Sequence, residues 1–191
     1  MMDSVNLELP SKTQINKCGK LLKRAMYGQL TMTDESEIEH AIEVVRQFRA
    51  AHAYPMLKVR SGLTSMVRTE LADEAVTQRL KRVPRIVRKL HRMPNMPLAS
   101  LEDVGGVRSV LLDGPQLEKV RARIMKNWRS QLIRDPRDYI ESPKDIGYRA
   151  VHLVVERDGR AIEVQLRTRG QQEWAEREPP RRGAAGRRRG S

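Results

Sequence analysis

The sequence contains few cysteines and aromatic residues, and it has no long apolar run. Cys18 is the single cysteine among 191 residues, which excludes an internal disulfide and a cysteine-based zinc site and favours a reducing compartment. No apolar run approaches the roughly 20 residues that span a bilayer, and the N-terminal segment lacks the basic and apolar regions of a signal peptide. We therefore expect a soluble, cytoplasmic protein without a membrane partner.

Charged residues are frequent in the chain, whereas aromatic residues are rare. Aromatic residues make up 4% of the chain and hydrophobic residues 39%, so a packed core must be mostly aliphatic. The formal net charge of +13 favours anionic partners, namely nucleotides, RNA, DNA or acidic lipid, without choosing among them. The length fits one domain, or one domain with a small extension.

Apolar residues at helical spacing predict a helical N-terminal region over residues 1–73. The second of its helices opens with Asp34 followed by Glu37, which resembles a capping box. The expected helices cover residues 11–27 with Gly28 as a C-terminal cap, a segment from Asp34 to about His52, and a basic segment from about Lys58 to Leu71.

From residue 74 onwards, alternating segments and shorter helical ones replace the long helices. The segment "VTQRLKR" alternates, which would place Arg79 and Lys81 on the same side of a strand. Pro84 and Pro115 each suit the first turn of a helix. The other expected elements are a buried strand at Gly106–Leu112, a polar loop from about Arg129 to Lys144, and a short helical segment at "QQEWAERE".

This order of elements predicts an α+β fold, with a mixed β-sheet flanked by helices over residues 74–178. The composition then changes to "PPRRGAAGRRRGS", which has no apolar periodicity. Residues 179–191 are therefore expected to form a disordered tail rich in arginine, glycine and proline.

Two alternating runs, "YRAVHLVVE" and "AIEVQLRT", flank Asp158-Gly159, which is a strong signal for a two-residue hairpin turn. In that register Arg157 faces Arg160, one face of the hairpin is entirely aliphatic and the other is polar. A solvated sheet face with incidental cross-strand pairs is the alternative to a functional site. The polar face is predicted to hold His152, Glu163, Gln165 and Arg167.

The loop before the hairpin favours a nucleotide site on that face. Lys144, Arg149 and His152 suit contacts with phosphates. Tyr148 suits stacking on a base, because a purine presents a large aromatic face. Gly147 would let the backbone turn closely beneath that base.

Cationic and acidic residues outside the hairpin and its loop are further candidates for the predicted nucleotide site. A run without acidic residues extends from Arg79 to Arg92; arginine forks suit polyphosphate, and a solvated basic face is the alternative. Asp103 precedes the predicted buried strand, and with Glu163 it would supply two hard oxygen ligands, enough for Mg²⁺ supported by substrate phosphates. Such a combination is what phosphoryl-type transfer requires.

Four segments in this order resemble the RelA/SpoT synthetase domain: "RLKRVPRIVRKL", "LEDVGGVRSVLL", "RDYIESPKDIGYRAVH" and "AIEVQLRT". The resemblance implies a nucleotidyltransferase-like synthetase fold. It also implies a GTP diphosphokinase, which transfers pyrophosphate from ATP to the ribose 3′-hydroxyl of GDP or GTP and makes the alarmones ppGpp and pppGpp. No histidine is followed by the aspartate of the family's hydrolase domain, so the chain resembles a stand-alone small synthetase.

The resemblance implies a role for each candidate residue. Asp103 and Glu163 are expected to be the catalytic and Mg²⁺-binding carboxylates, with Glu163 as metal ligand or as general base toward the 3′-hydroxyl. Tyr148 is expected to stack on the acceptor guanine. ATP phosphates are assigned to Arg79, Lys81, Arg88 and Lys89, and the acceptor to Tyr148, Lys144, Arg149, His152, Gln165 and Arg167.

Two alternatives stay open. The segment "FRAAHAYPM" with the following basic helix resembles toxic small synthetases, some of which add pyrophosphate to the 3′ CCA end of tRNA or make adenosine alarmones; an antitoxin would then be a partner. The family's domains continue as an amphipathic helix where this chain has its arginine-rich tail, so a truncated, inactive nucleotide- or RNA-binding relic is the second alternative. Assembly into a homo-oligomer is a further expectation from the family.

Overall fold

A computed structural model describes residues 9–26, 35–70, 75–143 and 147–177. It has the predicted mixed α+β architecture, in which helices pack on a five-stranded sheet. The strands are β1 (Val76–Leu80), β2 (Gly105–Leu111), β3 (Arg137–Asp138), β4 (Val151–Arg157) and β5 (Arg160–Thr168), and the helices are α1 (Lys12–Met26), α2 (Glu35–Ala50), α3 (Ala53–Glu70), α4 (Val83–Arg92), α5 (Gly114–Trp128) and α6 (Arg169–Arg177).

The sheet has the strand order β1-β2-β5-β4-β3. Strands β2 and β5 pair in parallel, and the other neighbours are antiparallel. The predicted hairpin register between β4 and β5 is confirmed from Arg157↔Arg160 through Val155↔Ile162 to Val151↔Leu166. Side chains of β4 and β5 therefore alternate between two faces of the sheet, and the position of the turn determines which residues lie on each face.

One sheet face is covered and the other carries polar groups. Aliphatic side chains such as Val107 and Val164 pack against α3 and α5 in one core cluster. A second cluster joins α1, α2 and α4, with Ile15 and Ile86 among its fully buried members. Because α3 and α5 cover the aliphatic face, the opposite face is left for polar groups.

Several local predictions need correction. The third helix starts at Ala53, not near Lys58; Pro55 stands in its first turn, where a missing N–H breaks no helical hydrogen bond. The segment predicted to be a polar loop contains the short strand β3. The sequence did not reveal this strand because two residues are too few to show alternation. Gly28, Asp34 and the predicted tail 179–191 lie outside the described residues. No helix in the described ranges is long and apolar enough to cross a bilayer.

Gly62 sets the close packing of α3 on α5. A Cβ atom at Gly62 would come within 2.7 Å of Cζ2 of Trp128, a ring that is buried in the core. We expect Gly62→Ala to lower the free energy of unfolding by ~1–3 kcal/mol through overpacking, measured by urea denaturation. Gly170→Ala is the matched control in α6, because nothing lies within 4 Å of its added methyl group; it should be neutral or stabilising. Equal effects of both substitutions would contradict the packing argument.

Candidate active site

The polar face of the sheet is built by four neighbouring strands. Gln165 of β5 lies between Arg108 of β2 and His152 of β4 in the strand register. Arg79 of β1 pairs with Gly106, two residues from Arg108, and so projects from the same face. Residues paired across neighbouring strands share a face, so this arrangement brings β5's polar side chains to the centre, with cations on the β1–β2 side.

A continuous chain of hydrogen bonds crosses this face. Arg167 Nη2 donates to Tyr148 Oη over 2.7 Å, and Tyr148 Oη lies 2.7 Å from His152 Nε2. His152 Nδ1 lies 2.8 Å from Glu163 Oε1, and Gln165 Nε2 donates to Glu163 Oε2 over 2.6 Å. Both oxygens of Glu163 are contacted, one by His152 and one by Gln165, so the network ends on Glu163 as acceptor.

Glu163 is an ionised carboxylate in a partly buried position. Burial acts to raise its pKa, but the hydrogen bond and charge of His152, together with the bond from Gln165, outweigh burial and hold the pKa below its usual value. The negative charge of Asp103 acts on it in the opposite sense. Asp103 therefore lies near enough to influence the ionisation of Glu163.

Tyr148 is held at the edge of this network by its ring as well as by its hydroxyl. The Arg167 guanidinium lies 4.9 Å from the ring centroid, as in a cation–π contact. Tyr139 packs edge-on against Tyr148 and His152, with centroid distances of 5.9 and 5.2 Å. Stacking of a base on Tyr148 stays a prediction, and the base would take the ring face away from Arg167.

Asp103 forms a second charged group with two lysines. Lys89 Nζ lies 2.6 Å from Oδ2, and Lys81 Nζ contacts the same oxygen. Burial acts to raise the pKa of Asp103, but the hydrogen bonds and charges of the lysines outweigh it and hold the pKa below its usual value. Oδ1 of Asp103 is buried and has no hydrogen-bond partner among the described residues, so it is an oxygen available to a ligand.

The carboxylates of this site fit a magnesium ion only if oxygen atoms of a substrate supply further ligands. Among the described residues, no group of three or more histidine, cysteine, aspartate or glutamate side chains could hold a metal. Two carboxylates, one with an unpartnered oxygen, match the sparse protein ligation that Mg²⁺ uses together with phosphate oxygens and water.

The remaining sequence-predicted residues lie around these two groups. Arg79, Arg88 and Arg149 are exposed on β1, on α4 and just before β4, respectively. No described residue forms an ion pair with any of these three arginines. Lys144 lies outside the described residues. The structure thus brings Tyr148 and the hairpin's polar residues together, and it brings Lys81 and Lys89 to Asp103.

Sequence reasoning missed Arg108. Its Nε is buried without a hydrogen-bond partner in the described part of the chain. Burial lowers its pKa, and the positive charge of Arg167 lowers it further. The alternation of "GVRSVLL" already places an arginine opposite the core face of β2; a guanidinium there can bind phosphate or stack on a base.

A family model described as a region found in RelA and SpoT proteins matches residues 78–179, just over half of the chain. The GTP pyrophosphokinase YjbM of Bacillus subtilis is 32% identical over 114 residues, which are 53% of this chain and 53% of that protein. An uncharacterised Mycobacterium tuberculosis protein, Rv1366, is 35% identical over 103 residues, which are 52% of this chain and 36% of that protein. The chain thus spans about half or less of these curated relatives.

Solved structures show the same fold. Small alarmone synthetase 1 from Bacillus subtilis, bound to its product pppGpp, has a TM-score of 0.62 and 24% identity, covering 70% of this chain and 78% of that one. Small alarmone synthetase 2 from the same organism has a TM-score of 0.58 and 23% identity, covering 69% and 76%.

The depressed pKa of Asp103 predicts a pH-dependent contribution to stability. The contribution is fully present above the unfolded-state pKa of about 3.9 and is lost as the pH falls toward the lower folded-state value. We expect Asp103→Asn to lower the melting temperature at pH 7 and to cost progressively less as the pH falls below about 4. Asp158→Asn is the control, since its ion pair with Lys58 is exposed. A deficit for Asp103→Asn that does not change with pH would contradict the prediction.

Proposed function

Because the chain belongs to the RelA/SpoT family, we propose that it is an alarmone synthetase that transfers pyrophosphate from ATP to the ribose 3′-hydroxyl of GDP or GTP. The observation that carries the proposal is the pair of carboxylates, Asp103 and Glu163, with lowered pKa values beside cations of the sheet and α4. The name of the curated relative, a GTP pyrophosphokinase, supports the same class of reaction.

The ATP side of the site would be the β1–α4 region. Lys81 and Lys89 already converge on Asp103, and a triphosphate offers them more negative charge than one carboxylate does. Arg79 on β1 and Arg88 on α4 are both exposed and would neutralise the remaining phosphate charge. The guanidinium of Arg108 would face the nucleotide from the neighbouring strand; its buried Nε has no hydrogen-bond partner among the described residues.

The acceptor side would be the edge of the hydrogen-bonded network. Tyr148 would stack on the guanine with the ring face that is turned away from Arg167. Arg149 is exposed one residue later and would bind the acceptor phosphates. His152 and Gln165 hold both oxygens of Glu163 through hydrogen bonds, so they would orient the carboxylate toward the 3′-hydroxyl.

Asp103 and Glu163 are the residues that would hold Mg²⁺, Asp103 through Oδ1, which has no hydrogen-bond partner in the described part of the chain. The ion, when bound, would neutralise charge on the transferred pyrophosphate and align it. The acceptor 3′-oxygen would form a bond to the β-phosphorus of ATP while the bridging bond to the α-phosphate breaks and AMP leaves. The hydroxyl proton would pass to Glu163, which is ionised near neutral pH because its pKa lies below the usual value.

Replacement of the proposed base tests the activity. Glu163→Gln should reduce transfer at least ~100-fold, the scale of a lost general base, at a temperature where circular dichroism shows that the variant is folded. Labelled ATP would be incubated with GDP, GTP or tRNA and the products separated. Glu156→Gln is the matched control, because Glu156 is exposed on the same hairpin. Full transfer by Glu163→Gln would reject the assigned role, and no transfer to any acceptor by the folded wild-type chain would reject the function.

An RNA acceptor is the second candidate, and one observation favours it. Helix α1 contains no acidic residue, neither does the segment from Arg79 to Leu101, and α1 packs against α4 within that segment. Two adjacent helices without acids provide a cationic surface beside the proposed ATP site. Such a surface suits the phosphate backbone of an RNA more than a single nucleotide needs.

Charge removal on α1, which supplies none of the proposed nucleotide contacts, tests this second candidate. Lys20 and Arg24 are exposed on α1, so the double substitution Lys20→Ala and Arg24→Ala should leave GDP kinetics unchanged. If tRNA is the acceptor, the double variant should raise the KM for tRNA and flatten its dependence on salt. Unchanged tRNA kinetics over a salt series would reject an RNA-binding role of α1.

A further inference from the structure

Helix α6 follows β5 without a loop, and its start is fixed by reciprocal hydrogen bonds. Thr168 Oγ1 accepts from the Gln171 backbone N over 3.4 Å, and Gln171 Oε1 accepts from the Thr168 backbone N over 3.0 Å. These two bonds form a capping box. The direction in which α6 leaves the sheet is therefore set at the end of the strand that carries Glu163.

Gln172 connects α6 to the hydrogen-bonded network of the site. Its Oε1 accepts from Arg167 Nη1 over 3.1 Å, and its Nε2 donates to Glu176 Oε1 over 2.6 Å. Because Glu176 binds the amide nitrogen, the carbonyl oxygen of Gln172 is directed at Arg167. The same guanidinium donates to Tyr148 Oη, so α6 is joined to the tyrosine through one side chain.

Trp174 contacts the backbone immediately before Tyr148. Gly147 has a φ of +75°, and a Cβ atom there would meet Trp174 Cζ2 at 3.2 Å and Cη2 at 3.6 Å. The indole ring therefore lies against the Cα atom of Gly147. Glycine serves this position twice, because it tolerates the left-handed conformation and leaves room for the ring.

The two contacts converge on one residue. No residue of α6 is buried, so the helix adds little to either core cluster. Its inward side chains instead reach Tyr148 from two directions, through the backbone of Gly147 and through the guanidinium of Arg167.

We infer that Trp174 and Gln172 are positioning residues that fix the orientation of Tyr148 for the acceptor base, an assignment that rests on the proposed function. Trp174 acts through Gly147, and Gln172 acts through Arg167. Neither side chain is required to touch ATP or the reacting atoms. Their substitution therefore affects acceptor recognition and leaves the proposed ATP side of the site, around Asp103, intact.

Steady-state kinetics separate this role from a structural one. Trp174→Ala and Gln172→Ala should each raise the KM for the acceptor nucleotide roughly 10-fold, the scale of one lost aromatic or polar contact. The KM for ATP and the melting temperature should stay unchanged. Glu173→Ala is the matched control, since this side chain is 65% exposed on the same helix. A fall in melting temperature with equal losses toward both substrates would overturn the inference.

A double-mutant cycle tests the route through Tyr148. In a Tyr148→Ala background, Trp174→Ala should have no further effect on the acceptor KM, because the residue that it positions is gone. Additive losses in the double variant would overturn the inference.

Backbone order tests the same contact without any activity. NMR relaxation of the ligand-free full chain measures the backbone order parameter S² of each amide. In Trp174→Ala, S² of residues 147–149 should fall from the rigid range near 0.85 toward 0.6 or below. The order parameters of β2 and β5 should not change. Unchanged order would overturn the inference whatever the chain catalyses. Lost order in a chain whose wild type transfers pyrophosphate to no acceptor would support the positioning contact and reject the proposed function.

Discussion

The two-residue turn at Asp158-Gly159 is the constraint on which the site depends. Both residues have positive φ, 50° and 69°, which is the backbone of a type I′ turn and matches the twist of the flanking strands. Because strand side chains alternate with a period of two, the turn decides that the set around Val164 faces α3 and α5 while the set around Gln165 faces away. A slip of one residue would bury the polar set and expose the aliphatic one.

The alternation of side chains that the turn fixes places several arginines on the polar face of the sheet. Arg167 is only 7% exposed, and the partners of its guanidinium among the described residues are the uncharged Gln172 and Tyr148. Arg108, beside it in the sheet, has a buried Nε without a partner within the described ranges. Burial of guanidinium groups whose hydrogen-bond partners are uncharged costs free energy of desolvation. Under the proposed function a polyphosphate would supply the missing counter-charge, and affinity for it and the tolerance of this face for buried cations would have the same origin.

Local sequence chemistry predicted the fold class, the hairpin register and the grouping of His152 with Glu163, because turn preference and alternation act over a few residues. The parallel pairing of β2 with β5 was not predictable in this way, since the two strands are distant in the chain and only tertiary packing aligns them. The alternation of β2 indicates which face Arg108 occupies, but it does not show that this face adjoins Gln165 of β5. The contact of Lys89 with Asp103 likewise depends on how α4 lies beside the strand ends, which helical periodicity does not report.

The direct junction of β5 and α6 limits how this region tolerates changes in length. Thr168 ends the strand and caps the helix, so no loop absorbs an inserted or deleted residue. One residue added between Thr168 and Trp174 would rotate the indole by about 100° around the helix axis and remove it from Gly147. The number of residues between the Asp158-Gly159 turn and Trp174 should therefore stay constant in natural or engineered variants.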